Sequence, residues 1–288
     1  MVSLADRLLT APQYLLPQRT LTRAIHRLTR IRGGPATTLA IRAFARIYDV
    51  DLALAARPDP GAYETFNAFF TRALRDGARP LASDPAAVVS PVDGTVSAAG
   101  AITGDSVFQA KGRHFSLAAL VGDGAAAQAL EGGHWATLYL APRDYHRIHM
   151  PCDGELQRTR FVPGRLFSVN GRTARAVNNL FARNERLVLE FSADFGLFMM
   201  VMVGAMCVGS MSTVWAGDAG LPPGRPDGLS DYRDAPRGFT RGEEIARFNM
   251  GSTVILLFPP GVLAWSETLQ ADAPVAMGRT IGSRLAGD

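Results

Sequence analysis

Three short segments of the chain carry residue types suited to proton transfer or nucleophilic attack. The first, SPVDGTV over 90–96, sets the Asp93 carboxylate directly before Gly94. That is natural for a tight turn between strands, so Asp93 can be a turn residue and nothing more. The second, DYHRIHMP over 144–151, holds His146 and His149 three positions apart, whereas His26, His114 and His134 are scattered. Imidazole is the side chain best matched to proton transfer near neutral pH. The two rings would share a face on a helical turn and point to opposite sides on an extended segment. They could also be structural, or ligate a metal, but no cysteine pair or H-E-x-x-H pattern supplies the remaining ligands. The third, FNMGSTVILLF over 248–258, puts Gly251-Ser252 at the mouth of a strongly apolar run. A serine hydroxyl is a weak nucleophile until a base takes its proton; the plain alternative is an ordinary strand start. Asp93, His149 and Ser252 could together form a triad. Such triads occur in several chain orders on unrelated folds, so order alone decides nothing. No G-x-S-x-G elbow is present, which counts against an α/β-hydrolase.

Residues so far apart in sequence need a frame to bring them together. From about residue 85 onward, short apolar runs alternate with Gly, Pro and Asp, which predicts a mostly β region of many short strands. No nucleotide-binding glycine motif occurs, nor any internal repeat. Residues 217–241, rich in Gly, Pro, Asp and Arg, read as a long loop. Ahead of this region the texture is helical. Residues 20–32 place Leu21, Ala24, Ile25, Leu28 and Ile31 at helical spacing, with Arg23, Arg27 and Arg30 between them. A second amphipathic helix is expected over 38–48 and a third over 63–75, with a linker-like break at 57–61. The fold class is therefore α+β: N-terminal amphipathic helices followed by a mostly β catalytic domain of short strands. The division expected is 1–60 and 61–288.

Hydrophobic residues make up 47% of the 288 positions and charged residues 19%, enough to bury a sizeable core and to exclude global disorder. The first 80 residues hold 12 arginines against 6 acidic residues, and the remainder 18 basic against 20 acidic, so an overall charge of +4 divides into +6 and −2. This asymmetry points to an anionic partner for the N-terminal part, a membrane surface or a nucleic acid; a solvated face is the bland alternative. A basic amphipathic helix can lie in a bilayer interface, or its apolar face can simply pack on the protein. Phe195–Val208 is nearly all apolar but only 14 residues long and broken by Gly196 and Gly204, against about 20 residues for a spanning helix. It reads as part of two short buried strands, not as a span. Asp6 and Arg7 interrupt the first apolar stretch too early for a signal peptide. Cys152 and Cys207, with no C-x-x-C, are expected to be free thiols.

The motifs taken together resemble the phosphatidylserine decarboxylase proenzymes of bacterial type. The resemblance runs through YETFNAFFTRALRDGARP, SPVDGTV, LAPRDYHRIHMP, PGRLFSVN and FNMGSTVILLF, about residues 63–258. It departs at Met250, where many relatives carry Leu, a swap that keeps apolar volume. The resemblance implies autocatalytic cleavage between 251 and 252, with Ser252 as nucleophile, His149 as base and Asp93 orienting it. It implies two chains after the cut, 1–251 and 252–288, and a pyruvoyl group made from Ser252 as the only cofactor, with no metal. Phosphatidylserine would be the substrate, with His146 handling its carboxylate or the returning proton. The N-terminal helices would then hold the enzyme peripherally on an anionic cell membrane, at the cytoplasmic face, with no nucleic-acid partner; a homodimer stays open. Rival readings are a Ser-His-Asp hydrolase without self-cleavage, a non-enzymatic membrane-binding β module, and a pyruvoyl enzyme for a small soluble amino acid.

Overall fold

In the computed structural model, which describes residues 4–110, 113–206, 210–220, 227–250 and 253–285, the run TVILLF becomes the inner strand Thr253–Phe258 of a nine-stranded sheet. All six of its residues are buried. This explains its unbroken apolar sequence: a strand covered on both faces has no reason to alternate. It pairs antiparallel with His134–Tyr139 on one side and Gly196–Val203 on the other. Beyond these lie Gly94–Ala101 and Pro274–Val275 in one direction, and Arg186–Ala193, Gly154–Val162 and Leu229–Asp231 in the other. Stacked rings thicken the core, with Phe198 and Phe258 nearly parallel at 5.4 Å between centroids.

A second sheet joins Gly217–Asp218, Met211–Thr213, Glu244–Phe248 and Arg147–His149 in that order. A third joins Ala87–Val89, Thr280–Arg284 and Leu263–Trp265. The apolar run from 195 thus becomes the buried strand Gly196–Val203, followed by the short strand Met211–Thr213. No helix among the described residues is long and apolar enough to cross a membrane. Helices followed by a mostly β body is the α+β arrangement read from the sequence.

Several local expectations change. The 63–75 helix shrinks to α5, Phe66–Phe70, numbered after the four helices that precede it. Thr65 caps its start by accepting from the Ala68 N–H, but residues 73–75 leave the helix because Ala73 and Arg75 hydrogen-bond the 54–56 backbone instead. Within 217–241, Leu229–Asp231 and Arg237–Phe239 are not loop: both add as edge strands to Gly154–Val162. At three residues each, Leu-Ser-Asp and Arg-Gly-Phe are too short for any periodicity test to show them as strands.

The four preceding helices are α1 (Leu4–Thr10), α2 (Pro12–Leu15), α3 (Gln18–Leu28) and α4 (Pro35–Tyr48). Pro35 opens α4 with its ring already at helical φ, so the helix starts three residues before the expected Thr38. The first three helices dock by their polar side. Asp6 is buried against Arg175 at 3.0 Å, the Gln13 side-chain oxygen accepts from the Ser168 N–H, and that of Gln18 accepts from the Leu166 N–H. Their leucines face outward, Leu4 at 72% and Leu15 at 90% exposure. α4 is held differently: Ile41 packs in a small cluster with Val50, Tyr63 and Phe69, while Leu39 and Ile47 stay exposed.

Candidate active site

The strand register gathers the chemistry-bearing segments at one end of the large sheet. Thr95 and Thr253 both lie opposite Tyr139, one on each side of it. Two residues before Thr95 stands Asp93. The backbone there passes so close to Tyr139 that any side chain on Gly94 would strike its carbonyl, at 2.3 Å from a Cβ. Glycine is required here for close approach, not for an unusual φ. The histidine segment arrives from the second sheet: the His149 N–H donates to the Pro91 carbonyl, and the Phe248 N–H donates to the carbonyl of His146.

Gly251 and Ser252, like Lys111 and Cys207, lie outside the described residues. What surrounds them is described. Thr253 is fully buried, and Asn249 is buried too, its side-chain amide donating to the hydroxyls of Ser210 and Ser212. Met250 lines a cavity of about 220 Å³ with Phe44 and Tyr48 of α4, Phe70, Tyr139 and the 168–170 backbone segment. The PGRLFSVN loop thus contributes one wall.

His149 is buried and its ring is held at both nitrogens. Nδ1 lies 2.8 Å from the Gly242 carbonyl and Nε2 lies 3.1 Å from the Tyr145 hydroxyl. A carbonyl only accepts, so Nδ1 carries the hydrogen and Nε2 presents its lone pair to Tyr145. Burial lowers the His149 pKa, partly countered by the Gly242 hydrogen bond and by the charges of Glu244 and Asp93. It is therefore a neutral imidazole with a free base at neutral pH. Burial also pushes the Tyr145 phenol up, keeping it protonated.

Asp93 does not touch the His149 ring. Its carboxylate takes two hydrogen bonds from Arg79 Nε and one from Nη2, at 2.6–3.1 Å, and another from the Met277 N–H. The structure therefore brings Asp93 and His149 to the same sheet end and joins their backbones, but no hydrogen bond links the two side chains. The position an orienting carboxylate would take on Nδ1 is filled by Gly242.

His146 points the other way, as an odd separation along an extended segment requires. Its ring stacks on Phe70 at 4.2 Å and is wholly buried. Burial, aided by the positive charge of Arg72, drives its pKa down to about 3. The carbonyls of Ala141 and Pro142 lie nearby, yet neither ring nitrogen makes a hydrogen bond of acceptable geometry. A buried polar group without a protein partner calls for another one.

The sequence reading missed Arg79, Tyr145 and Asn249. Tyr145 was visible in hindsight, since four residues of extended chain return it to the face of His149. Nothing local marks Arg79 or Asn249, whose partners lie 14 to 39 positions away. Among the described residues no group of three or more His, Cys, Asp or Glu side chains could hold a metal ion.

Comparison with known proteins gives the lineage. A family model described as phosphatidylserine decarboxylase matches residues 66–283, and a second, described as PSD, matches residues 8–49. The chain is 50% identical over 285 residues to the phosphatidylserine decarboxylase proenzyme of Delftia acidovorans, covering 98% of this chain and 99% of the relative. It is 50% identical over 282 residues to that of Acidovorax ebreus, covering 98% and 99%. The proenzyme of Chromobacterium violaceum is 50% identical over 283 residues, covering 97% of this chain and all of the relative. The chain belongs to the phosphatidylserine decarboxylase family.

Proposed function

We propose that this protein cuts its own chain between Gly251 and Ser252 and then removes carbon dioxide from the headgroup of phosphatidylserine, leaving phosphatidylethanolamine. The observation that carries the reading is the cavity at Met250: it adjoins the Gly251-Ser252 bond in sequence, is walled by aromatic rings, and is built partly from α4, the same helix that leaves Leu39 and Ile47 exposed. A diacyl lipid resists leaving a bilayer at about 0.8 kcal/mol per CH₂. A pocket whose wall is also part of the exposed apolar surface lets the headgroup enter while the acyl chains stay in lipid.

The cleavage needs a base, and His149 is neutral with its lone pair on Nε2. The Tyr145 hydroxyl turns its hydrogen away from Nε2, and the Ser252 Oγ adds to the Gly251 carbonyl and gives its proton to that nitrogen, while the Gly242 carbonyl holds the ring at Nδ1. The Gly251–Ser252 amide bond breaks as the acyl group moves from nitrogen to oxygen, and the amine takes a proton. Elimination then breaks the Cα–H and Cβ–Oγ bonds of residue 252, the α-proton passing to the regenerated His149 base, and frees the Gly251 carboxylate. Water replaces the nitrogen of residue 252, which leaves as ammonia. Asp93 contributes as a nearby negative charge that raises the basicity of His149, and Arg79 fixes that carboxylate.

The residues present fit a pyruvoyl group at position 252, since His146 keeps two unpartnered ring nitrogens in the same part of the structure. Such a group supplies an electron sink for decarboxylation of an amine-bearing substrate. Neutral His146 is our candidate for holding the substrate carboxylate or handling the returning proton. Residues 1–60 form the membrane-associating part and 61–288 the catalytic part; Arg23 and Arg27 are exposed and favour an anionic, peripheral contact, here assigned to the cytoplasmic face.

Intact mass tests the scheme. Wild-type protein is expected as two chains, the smaller starting at 252, refractory to N-terminal sequencing and one ammonia lighter than a hydrolytic fragment. Ser252→Ala is expected as one inactive chain. Wild-type protein that is uncut yet decarboxylates phosphatidylserine refutes the mechanism.

A further inference from the structure

A second cavity, of about 380 Å³, lies behind the histidine segment and is lined by Arg57, Arg72, Arg147 and Arg247 together with Tyr63 and Thr71. It shares no lining residue with the cavity at Met250; the neighbours Phe70 and Thr71 face different cavities. Arg72 is the unusual member. It is only 4% exposed, and its Nη2 donates to the carbonyls of Arg143 and Asp144. Its Nε and Nη1 are buried with no hydrogen-bond partner. A guanidinium has five N–H donors and stays charged, so leaving two of its nitrogens dry and unpaired is costly unless something accepts from them.

The surrounding charge says what that something is. Among the described residues, the only ion pair made by the four arginines is that of Arg147 with Glu244, at 2.7 Å. Arg147 and Arg247 sit opposite each other on paired strands. Asp93 and Asp144 act on Arg72 only at a distance, and burial lowers its pKa. Four guanidiniums against one paired carboxylate leave an excess of positive charge around a space that would hold roughly a dozen waters. Forked guanidinium donors match phosphate oxygens.

We propose that this arginine-lined cavity is a phosphate-binding site, separate from the reacting cavity. Its ligand is a phosphate group, carried by an anionic phospholipid headgroup or free in solution. Nε and Nη1 of Arg72 are sealed behind the cavity wall, and a shift of this side chain into the space lets a ligand oxygen accept from them, while Arg57 and Arg247 close over it from the exposed side. Because the other end of Arg72 grips the Arg143 and Asp144 carbonyls, an occupant also steadies the segment that leads into His146.

Calorimetric titration of the full-length protein with inorganic phosphate and with glycerophosphoglycerol, against chloride at equal ionic strength, tests this. Both probes are expected to bind, and to raise the Tm by a few degrees at tenfold excess over Kd. The double variant Arg57→Gln, Arg247→Gln changes only exposed positions. It should keep the wild-type Tm in chloride and bind at least tenfold more weakly. Tighter binding of glycerophosphoglycerol identifies the lipid headgroup as the source, and tighter binding of inorganic phosphate identifies the free ion. No binding of either probe, or binding unchanged in the double variant, overturns the proposal.

Discussion

The N-terminal helices and the large sheet use the same apolar residue types in opposite ways. In Thr253–Phe258 every side chain is buried, between two partner strands and under stacked rings. In α1 and α3 the buried residues are Asp6, Thr10, Gln18 and Thr22, while Leu4, Leu8, Leu9, Leu21 and Leu28 face outward. Singly exposed leucines are ordinary, but a set on successive helices, docked by their polar side, is an apolar surface awaiting a partner. The contrast teaches that hydrophobic periodicity identifies a helix and its stripe, yet does not say which way the stripe faces. That is decided by the partners the polar side finds, here Arg175 and the 166–168 backbone.

The sharpest way to probe the sheet side is at the end that carries Asp93 and His149. His149→Ala is expected to abolish self-cleavage and leave one full-length chain on a denaturing gel. His146→Ala should still cleave but lose decarboxylation of phosphatidylserine; equal cleavage defects in both variants would sink the division of roles. Next in size is the core. Leu256→Ala removes a fully buried side chain from the inner strand and should cost about 2–5 kcal/mol in denaturant unfolding of the uncut Ser252→Ala protein. A cost under about 1 kcal/mol would mean that the strand is not the packed centre described here.

Acid probes the same end without mutation. His146 has a folded-state pKa of about 3, below the ordinary 6.5, so the unfolded chain binds the proton first. Stability should therefore be full above pH 6.5 and decline as pH falls toward 3, by about 2 kcal/mol at pH 5. His149, also lowered by burial, adds in the same direction. Replacing His146 with Phe should flatten that slope, and an unchanged slope would assign it to other groups.

The smallest effect on stability is expected on the helical side. Leu15→Ser and Ile47→Ser should change unfolding free energy by no more than about 0.5 kcal/mol, since both side chains already face water. They should nevertheless weaken binding to phosphatidylserine-containing vesicles, as should Arg23→Glu with Arg27→Glu. Vesicle binding that survives all four changes would move the membrane contact elsewhere.

Much of this contrast was legible in the chain. The turn before Gly94, the histidine pair and the apolar strand after Ser252 are local signals, and each is where its motif suggested. The charge excess and helical spacing of 20–32 marked the N-terminal part, with α3 ending at Leu28 rather than 32. What was hidden depends on residues distant in sequence. Nothing in SPVDGTV tells that Asp93 is claimed by Arg79, or that Gly242 takes the place on His149 that a carboxylate was expected to fill. The helix over 63–75 was overextended because its pattern cannot show that 54–56 competes for the backbone of 73 and 75.

The position of Thr253–Phe258 between two other strands has a consequence for how the protein is assembled. A cut just before it leaves the downstream piece threaded through the molecule: it supplies an inner strand of the large sheet, an edge strand beside Gly94–Ala101, and two of the three strands that include Ala87–Val89. The upstream piece keeps the second sheet whole but loses an inner strand of the large sheet and two of the three strands of the third, and the downstream piece holds no complete sheet. Severing the chain therefore changes the molecularity of folding and not the fold. The uncut precursor can refold as a first-order process at any dilution, whereas the two pieces, once unfolded, must find each other, and their recovery becomes second order in protein. With the proposed cut at Gly251-Ser252, folding has to precede cutting, and a denatured two-chain protein is expected to regain its structure far less readily than the uncut Ser252→Ala chain.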